Sequence, residues 1–485
     1  MIFKTLRRAG IAASVLALAA CGGTGAVTVA DEKQAGAETA RQLEEQIGLY
    51  PGEFLTNYVD SVGRRLAAAL GDTPYYFRFK IIDQAEPNAF ATPGGYIFVS
   101  RGLMALINTE DELAGILAHE ISHVTLRHHA RQAQRGVLPA VLTMPGRAVG
   151  KVVGEDVGNM INSPLEAVGK TYMASYGRGQ EIEADRTGMH LAARAGYDPA
   201  SLAGALQTLE QTISLITGEN PKSSFFDSHP QTPTRVAEIE SEARQIQWQA
   251  GKPFASNQAA LYKRLNGLTW GPNNPMQGVF AGQQFMQPDM NFSLVFPDGW
   301  QTLNTPVFVG AFEPGQKAFV LFGAASQPGP AKNLAEEFAA ELRSEAGLEP
   351  TEMRAFDMGE WPAHLLRIED ASGVEPVSIY YVWVNLRSST FQVVAMGADR
   401  YREELRETAL SLRDMTVDEK KSIVAYRIRI ATAEAGETVE DLSLRTGNEF
   451  SGEFTSVING LPAGVELDAD APVKILSREP YLRLP

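Results

Sequence analysis

Residues 119–123 read His-Glu-Ile-Ser-His. Two histidines four positions apart on an α-helix lie one turn apart on the same face, so His119 and His123 can hold one metal ion between them. Glu120 sits beside them, placed to take a proton from water that the ion activates. The chemistry this suggests is metal-assisted hydrolysis. A catalytic site of that kind needs a third protein ligand and keeps a fourth position open. The run Gly-Gln-Glu-Ile-Glu-Ala-Asp-Arg-Thr-Gly at 179–188 offers one. In helical form Glu181 and Asp185 share a face. Glu181 can then reach the metal, and Asp185 can accept a hydrogen bond from the outer nitrogen of a ligand histidine. Glu183 points away from both and is expected to be solvated. Alone, the segment would read as an ordinary charged helix face; its pairing with the upstream motif favours the ligand reading.

The chain has 7 histidines, and all but His364 fall between 119 and 229. His128 and His129 follow the motif. On a continuing helix they rotate off the ligand face, which suits packing better than ligation. His190 is also read as structural. His229 lies in Asp-Ser-His-Pro-Gln-Thr-Pro-Thr-Arg at 227–235. Thr232 as N-cap and Pro233 as first helical residue would give a rigid loop, with Arg235 in the first turn that follows. Two roles stay open for this loop. His229 and Arg235 could bind the oxyanion of a tetrahedral intermediate on the open side of the metal. Alternatively, His229 could occupy the fourth coordination position and hold the site latent. A loop histidine without a role is the plain alternative.

The elements around these residues are legible. Thr109 with Glu112 is a capping-box pattern, and Leu113, Ile116, Leu117, Ile121 and Val124 recur at helical spacing behind it. Residues 52–70 read as a helix, and 75–82 as a strand with Phe77, Phe79 and Ile81 on one face. Residues 96–100 read as a second strand. Left unpaired beside the metal, it could add an extended substrate as a further strand. Residues 136–178, rich in Gly, Ala, Val and Met, are either a mobile lid or a core insertion.

Four blocks now occur in order. They are Asn88-Ala-Phe-Ala-Thr-Pro-Gly-Gly-Tyr-Ile-Phe-Val, His119 to His128, Glu181-x-x-Ala-Asp185, and His229-Pro ahead of Arg235. Over roughly residues 38–250 the chain resembles the gluzincin family of CAAX prenyl proteases, HtpX-type proteases and soluble periplasmic BepA-like peptidases. The resemblance implies His119, His123 and Glu181 as ligands of one zinc ion per chain and Glu120 as general base. It places Asp185 behind the ligands, and His229 and Arg235 along the catalytic site. Unlike the prenyl and HtpX types, this chain has no run of about eighteen apolar residues beyond its N-terminus. That points to the soluble, envelope-facing branch, although no helical-repeat tail is visible.

The N-terminus suggests a location. Lys4, Arg7 and Arg8 precede an apolar stretch too short to span a bilayer, and Leu18-Ala19-Ala20-Cys21 resembles a lipoprotein cleavage site. Cys21 is the only cysteine in the chain and would carry the lipid. Gly22, where an inner-membrane retention signal would have Asp, favours the outer membrane of a Gram-negative bacterium. Residues up to 37 read as a tether. The net charge of −15 argues against nucleic-acid binding.

The whole reads as α+β. A mainly helical zincin-type metallopeptidase domain with a small sheet spans 38–250, behind a signal peptide at 1–20 and the tether at 21–37. A linker at 251–289 leads to an α+β domain at 290–418, whose Phe-Pro-Asp-Gly-Trp turn resembles small PsbP/DcrB-like domains. Residues 424–478 resemble a LysM module through Ala435-Gly-Glu-Thr438-Val-Glu-Asp-Leu442, implying a strand-helix-helix-strand order and either peptidoglycan binding or a structural cap. The expected activity is zinc-dependent cleavage of unfolded or misassembled envelope proteins in the periplasm. The alternatives are an envelope assembly factor with a latent protease site and a wall-anchored adaptor.

Overall fold

The computed structural model describes residues 27–134, 176–217, 225–230, 234–371, 375–462 and 464–481. Cys21 and the segment before it lie outside these residues. The first helix, α1 (Val29–Gln46), begins inside the stretch expected as a tether. Thr28 and Asp31 cap it reciprocally. Tertiary contacts hold it: buried Glu32 accepts hydrogen bonds from Tyr75 Oη (2.8 Å) and Arg127 Nε (3.0 Å), and Ala40 and Leu43 pack on Ile82, Phe90 and Phe98.

Helix α2 (Glu53–Ala68) buries Tyr58, Val59, Val62 and Leu66 in one core with Phe77, Phe79 and Ile81. The sheet beside it has strands β1 (Arg78–Ile82), β2 (Ala89–Thr92) and β3 (Tyr96–Ser100) in the order β1-β3-β2. Strand β3 runs parallel to β1, with Arg78 opposite Tyr96, and antiparallel to β2. Residues 96–100 are therefore the centre of the sheet, not the unpaired strand expected from sequence. Phe98 is fully buried there. The edge strand packed on the motif helix is β2.

The short helix α3 (Arg101–Leu106) leads into the motif helix α4 (Glu110–Thr125). Thr109 caps α4, its hydroxyl accepting from Glu112 N–H at 3.1 Å. The Glu112 carboxylate does not return to Thr109 but accepts from Asn108 N–H at 2.7 Å. Buried Glu110 receives Tyr58 Oη (3.2 Å), Tyr197 Oη (3.3 Å) and the N–H groups of Phe254 (2.9 Å) and Ala255 (2.6 Å). One carboxylate thus fixes the start of α4 to three other segments, and each of those donors is satisfied by it.

Helix α5 (His128–Gln134) follows α4 directly. Helices α6 (Arg178–Arg194) and α7 (Ser201–Thr217) pack across α4. Gly188 permits the close approach of α6: a Cβ there would lie 3.1 Å from the backbone nitrogen of His119. The expected lid or insertion lies outside the described residues as far as 175. Helix α8 (Arg235–Ala243) starts after Thr234, whereas Thr232 and Pro233 lie outside the described residues.

Residues 251–289 are not a free linker. Helix α9 (Gln258–Leu265) belongs to the core around α4. Residues 267–270 run beside β4 (Val424–Thr432) through hydrogen bonds from Gly267 N–H to Ile428 O, Ile428 N–H to Leu268 O and Trp270 N–H to Tyr426 O, each 2.8 Å. Buried Arg101 bonds Asp83 and donates to Thr269 O (3.0 Å) and Gly271 O (2.7 Å). Strands of the next unit already begin at Val279. Its seven-stranded antiparallel sheet is covered on one face by α10 (Ala331–Glu341), and on the other by α11 (Arg402–Ala409) together with residues of a four-stranded sheet. His364 is buried on one of its strands.

The last unit runs β4, α12 (Val439–Thr446), α13 (Gly452–Ile458) and β5 (Pro472–Pro480), with β4 and β5 antiparallel. Its Ile428 and Ile458 join the core of the motif helix. Lys474 is fully buried, and its side-chain nitrogen donates to Ala105 O (2.9 Å) and Ile107 O (3.2 Å) at the end of α3. Among the described residues no helix is long and apolar enough to cross a membrane. Lys474→Met would leave both carbonyls without this donor and is expected to cost about 1–3 kcal/mol. Thermal unfolding should show the whole core around α4 melting earlier; an unchanged midpoint would mean that the contact contributes no stability.

Candidate metal centre

Helix α4 carries His119 and His123 one turn apart, and α6 carries Glu181 and Asp185 one turn apart on its facing side. The turn Phe225–Ser228 delivers His229 from a third direction. Its N–H bonds Phe225 O (2.9 Å), and the Phe225 ring stacks on its imidazole at 4.4 Å between centroids. His119 Nε2 lies 2.9 Å from His123 Nε2 and 3.2 Å from His229 Nδ1. Glu181 Oε1 lies 3.2 Å from His229 Nδ1 and 3.4 Å from His123 Nε2. One ligand atom from each of the four residues lies within 4.8 Å of the others, and all four residues are buried.

This arrangement fits a metal ion on its own chemistry. Three imidazole nitrogens turned toward one another and toward a carboxylate cannot all be satisfied by the single proton each neutral ring carries. A cation shared at their centre satisfies them together. Two or three nitrogens with one carboxylate oxygen is a donor set suited to zinc. His119, His123 and Glu181 would hold the ion, with His229 within reach as a fourth group.

Asp185 lies against His119. Its Oδ1 is 2.9 Å from His119 Nδ1, which leaves Nε2 facing the cluster. Arg235 sits differently from the expectation that it might bind an oxyanion. Its Nε and Nη2 form a fork on Asp185, both at 2.8 Å, and its Nη1 lies 2.9 Å from Glu181 Oε2. Two acidic neighbours therefore fix the guanidinium beside the cluster. Burial alone would raise both carboxyls. The histidines His229, His123 and His119 reverse this for Glu181, and His119 with Arg235 reverses it for Asp185, so both fall below the usual carboxylate range.

Glu120 is fully buried, and among the described residues neither carboxylate oxygen has a hydrogen-bond partner. The nearest basic group is the imidazole of His229, with Nε2 3.4 Å from Oε1. Burial holds its carboxyl above the ordinary range, against the pull of His229 and His119.

Three groups near the cluster were not legible as site residues. The Tyr176 ring stacks on His123 at 3.7 Å, and its Oη lies 2.8 Å from His129 Nε2. His128 Nδ1 lies 2.8 Å from His123 Nδ1, and His128 Nε2 lies 3.1 Å from Glu183 Oε2. Glu183 is thus half-exposed but not merely solvated. The signal is a carboxylate two residues past Glu181, on the helix face expected to be solvated. His190 is exposed and takes no place in the cluster.

Arg235→Met would leave the buried carboxylates of Asp185 and Glu181 without their shared cation. Breaking a buried pair costs about 3–5 kcal/mol. The variant is expected to unfold at lower temperature and to retain less zinc per chain under dialysis against a chelator; parental values for both would contradict the anchoring role.

Residues 54–243 match the model of peptidase family M48. The chain is 31% identical over 229 residues to the beta-barrel assembly-enhancing protease of Yersinia pestis, covering 46% of this chain and 46% of that protein. It is 31% identical over 195 residues to the protease HtpX homolog of Salinibacter ruber, covering 34% of this chain and 68% of that protein. The solution structure of cyanobacterial PsbP from Synechocystis superposes on 30% of this chain and 98% of that one, at 14% identity and a TM-score of 0.24. The chain spans about half the length of the beta-barrel assembly-enhancing protease it matches. With the two motif histidines, Glu120, Glu181 and Asp185 in order inside the matched region, the chain belongs to peptidase family M48.

Proposed function

We propose that this chain is a zinc-dependent endopeptidase of the Gram-negative cell envelope that cleaves unfolded or misassembled envelope proteins. The observation that carries the reading is the convergence of His119, His123 and Glu181 beside the buried carboxylate of Glu120, which has no hydrogen-bond partner among the described residues. The name of the Yersinia relative, a beta-barrel assembly-enhancing protease, supports the choice of substrate. Cys21 would anchor the protein by lipid, on the evidence of Leu18-Ala-Ala-Cys21 alone. Residues 424–478 would bind peptidoglycan, a reading supported by their strand-helix-helix-strand order and LysM-like opening.

When bound, zinc supplies Lewis-acid activation of water and of a peptide carbonyl. The protein's own residues do the rest. Asp185 and Arg235 orient His119 and Glu181. Glu120 takes the proton of the attacking water and returns it to the departing amine; a carboxyl raised by burial suits both halves of that exchange. The buried walls keep bulk water from competing.

A second reading is favoured by one observation. His229 Nδ1 lies as close to the cluster as the other ligands, so it can fill the position that catalysis needs open. The site would then be latent until the 225–230 turn withdraws, and the other units would do the main work as an assembly factor.

Casein cleavage and zinc content, measured on the chain from residue 22, on Glu120→Gln and on His229→Ala, separate the two. The endopeptidase reading expects one zinc in each protein, cleavage by the parent, and at least a 100-fold loss in Glu120→Gln, as for a general base worth about 10²–10⁴. Latency expects an inactive parent and a His229→Ala variant that cleaves. Zinc in all three with cleavage by none would overturn both. Cys21→Ser in cells should lose lipid labelling and membrane association; retention of both would refute the anchor.

A further inference from the structure

We propose that Glu183 and His128 form a positioning relay that fixes the ring of His123, a counterpart to the contact of Asp185 with His119. The inference rests on the reading of His119, His123 and Glu181 as metal ligands.

The local fold creates the relay. Helix α4 ends at Thr125, and Arg127 adopts a left-handed conformation (φ 56°) before α5 begins at His128. Such a conformation is uncommon for a residue other than glycine. Arg127 is held in it by its bonds to Glu32 Oε2 (3.0 Å) and Val27 O (2.6 Å). The break turns His128 back toward the site. On an unbroken helix it would face elsewhere. His128 is fully buried between His123 and Glu183.

Proton accounting then sets the direction. An ionised carboxylate only accepts, so the 3.1 Å contact of Glu183 Oε2 places a proton on His128 Nε2. A neutral ring carries one proton, so His128 Nδ1 is an acceptor. Its partner at 2.8 Å, His123 Nδ1, must therefore be the donor. That leaves the lone pair on His123 Nε2, the atom facing His119 and Glu181. Arg131 holds the outer end in place. Its Nη1 donates to the same Glu183 oxygen at 2.9 Å, while Nε and Nη2 bond Leu126 O at 3.0 and 2.7 Å. Tyr176, stacked on His123, restrains the plane of the ring. A half-exposed carboxylate thus orients a buried ligand through one intervening imidazole.

The test uses the zinc-loaded protein with ¹⁵N-labelled histidine. Long-range ¹H–¹⁵N spectra should show His123 protonated at Nδ1 and His128 protonated at Nε2 with Nδ1 bare; a proton on His128 Nδ1 overturns the relay. Zinc affinity by chelator competition gives the second readout. Removing a group that supports a metal ligand weakens binding about 10–100-fold. Glu183→Ala is expected in that range. Glu183→Gln, whose amide oxygen still accepts from His128, should lose less. Parental affinity in Glu183→Ala also overturns the relay. Glu183 is half-exposed, so its removal leaves the core packed. Glu181→Ala serves as the control for the underlying reading: if it too binds zinc as the parent does, the ligand assignment itself fails, whereas zinc loss there with parental affinity in Glu183→Ala rejects the relay alone.

Discussion

The structure depends on one buried guanidinium. Arg235 grips Asp185 with a fork and reaches Glu181 with its remaining nitrogen. Through Asp185 it acts on His119, and through its own backbone position it sets the start of α8, six residues after His229. Three parts of the chain far apart in sequence, α4, α6 and the 229–235 segment, are therefore tied by a single group. Without it the buried carboxylates of Asp185 and Glu181 would lose their shared guanidinium, a loss that apolar packing around them could not offset. The planar fork matters: lysine offers one point charge and could not hold both carboxylates in fixed orientation.

The metal cluster also depends on a motif helix that cannot shift. Glu110 fastens its first turn to α2, to the segment after α6 and to residues 254–255. Gly188 lets α6 lie against His119 with no side chain between. The last unit contributes as well, since Lys474 satisfies carbonyl groups at the end of α3, just ahead of α4. That unit shares a core with the peptidase fold, so whatever it binds, it is also part of the scaffold. Such a scaffold holds ligands to the tolerance that metal geometry demands.

Two kinds of support stand behind the motif histidines. His119 meets a carboxylate directly. His123 meets one through His128, in a path that ends at the surface. Both arrangements turn an Nε2 lone pair inward. His229 stands at the same cluster, delivered by the short turn Phe225–Ser228.

The sequence by itself determined the chemistry. The spacing of His119, Glu120 and His123, and of Glu181 and Asp185, is a property of helix geometry and needs only that those segments be helical. The capped start of α4 at Thr109 and its buried apolar stripe were legible for the same reason. The strands β1 and β3 followed from their residue patterns. Only the tertiary structure decided the rest. Strand order placed β3 at the sheet centre, because a parallel partner, β1, closes the side that local pattern leaves open. Residues 29–37 of the expected tether are helical and the expected linker is bound to the core, because Glu32 and Arg101 find partners distant in sequence. Arg235, at the start of α8, engages two carboxylates, because charge complementarity is strong in a buried space. His128 and Glu183 entered the site because the helix breaks at Arg127, and a helical wheel drawn through residues 110–129 has no means of showing a break enforced by contacts with Glu32 and Val27.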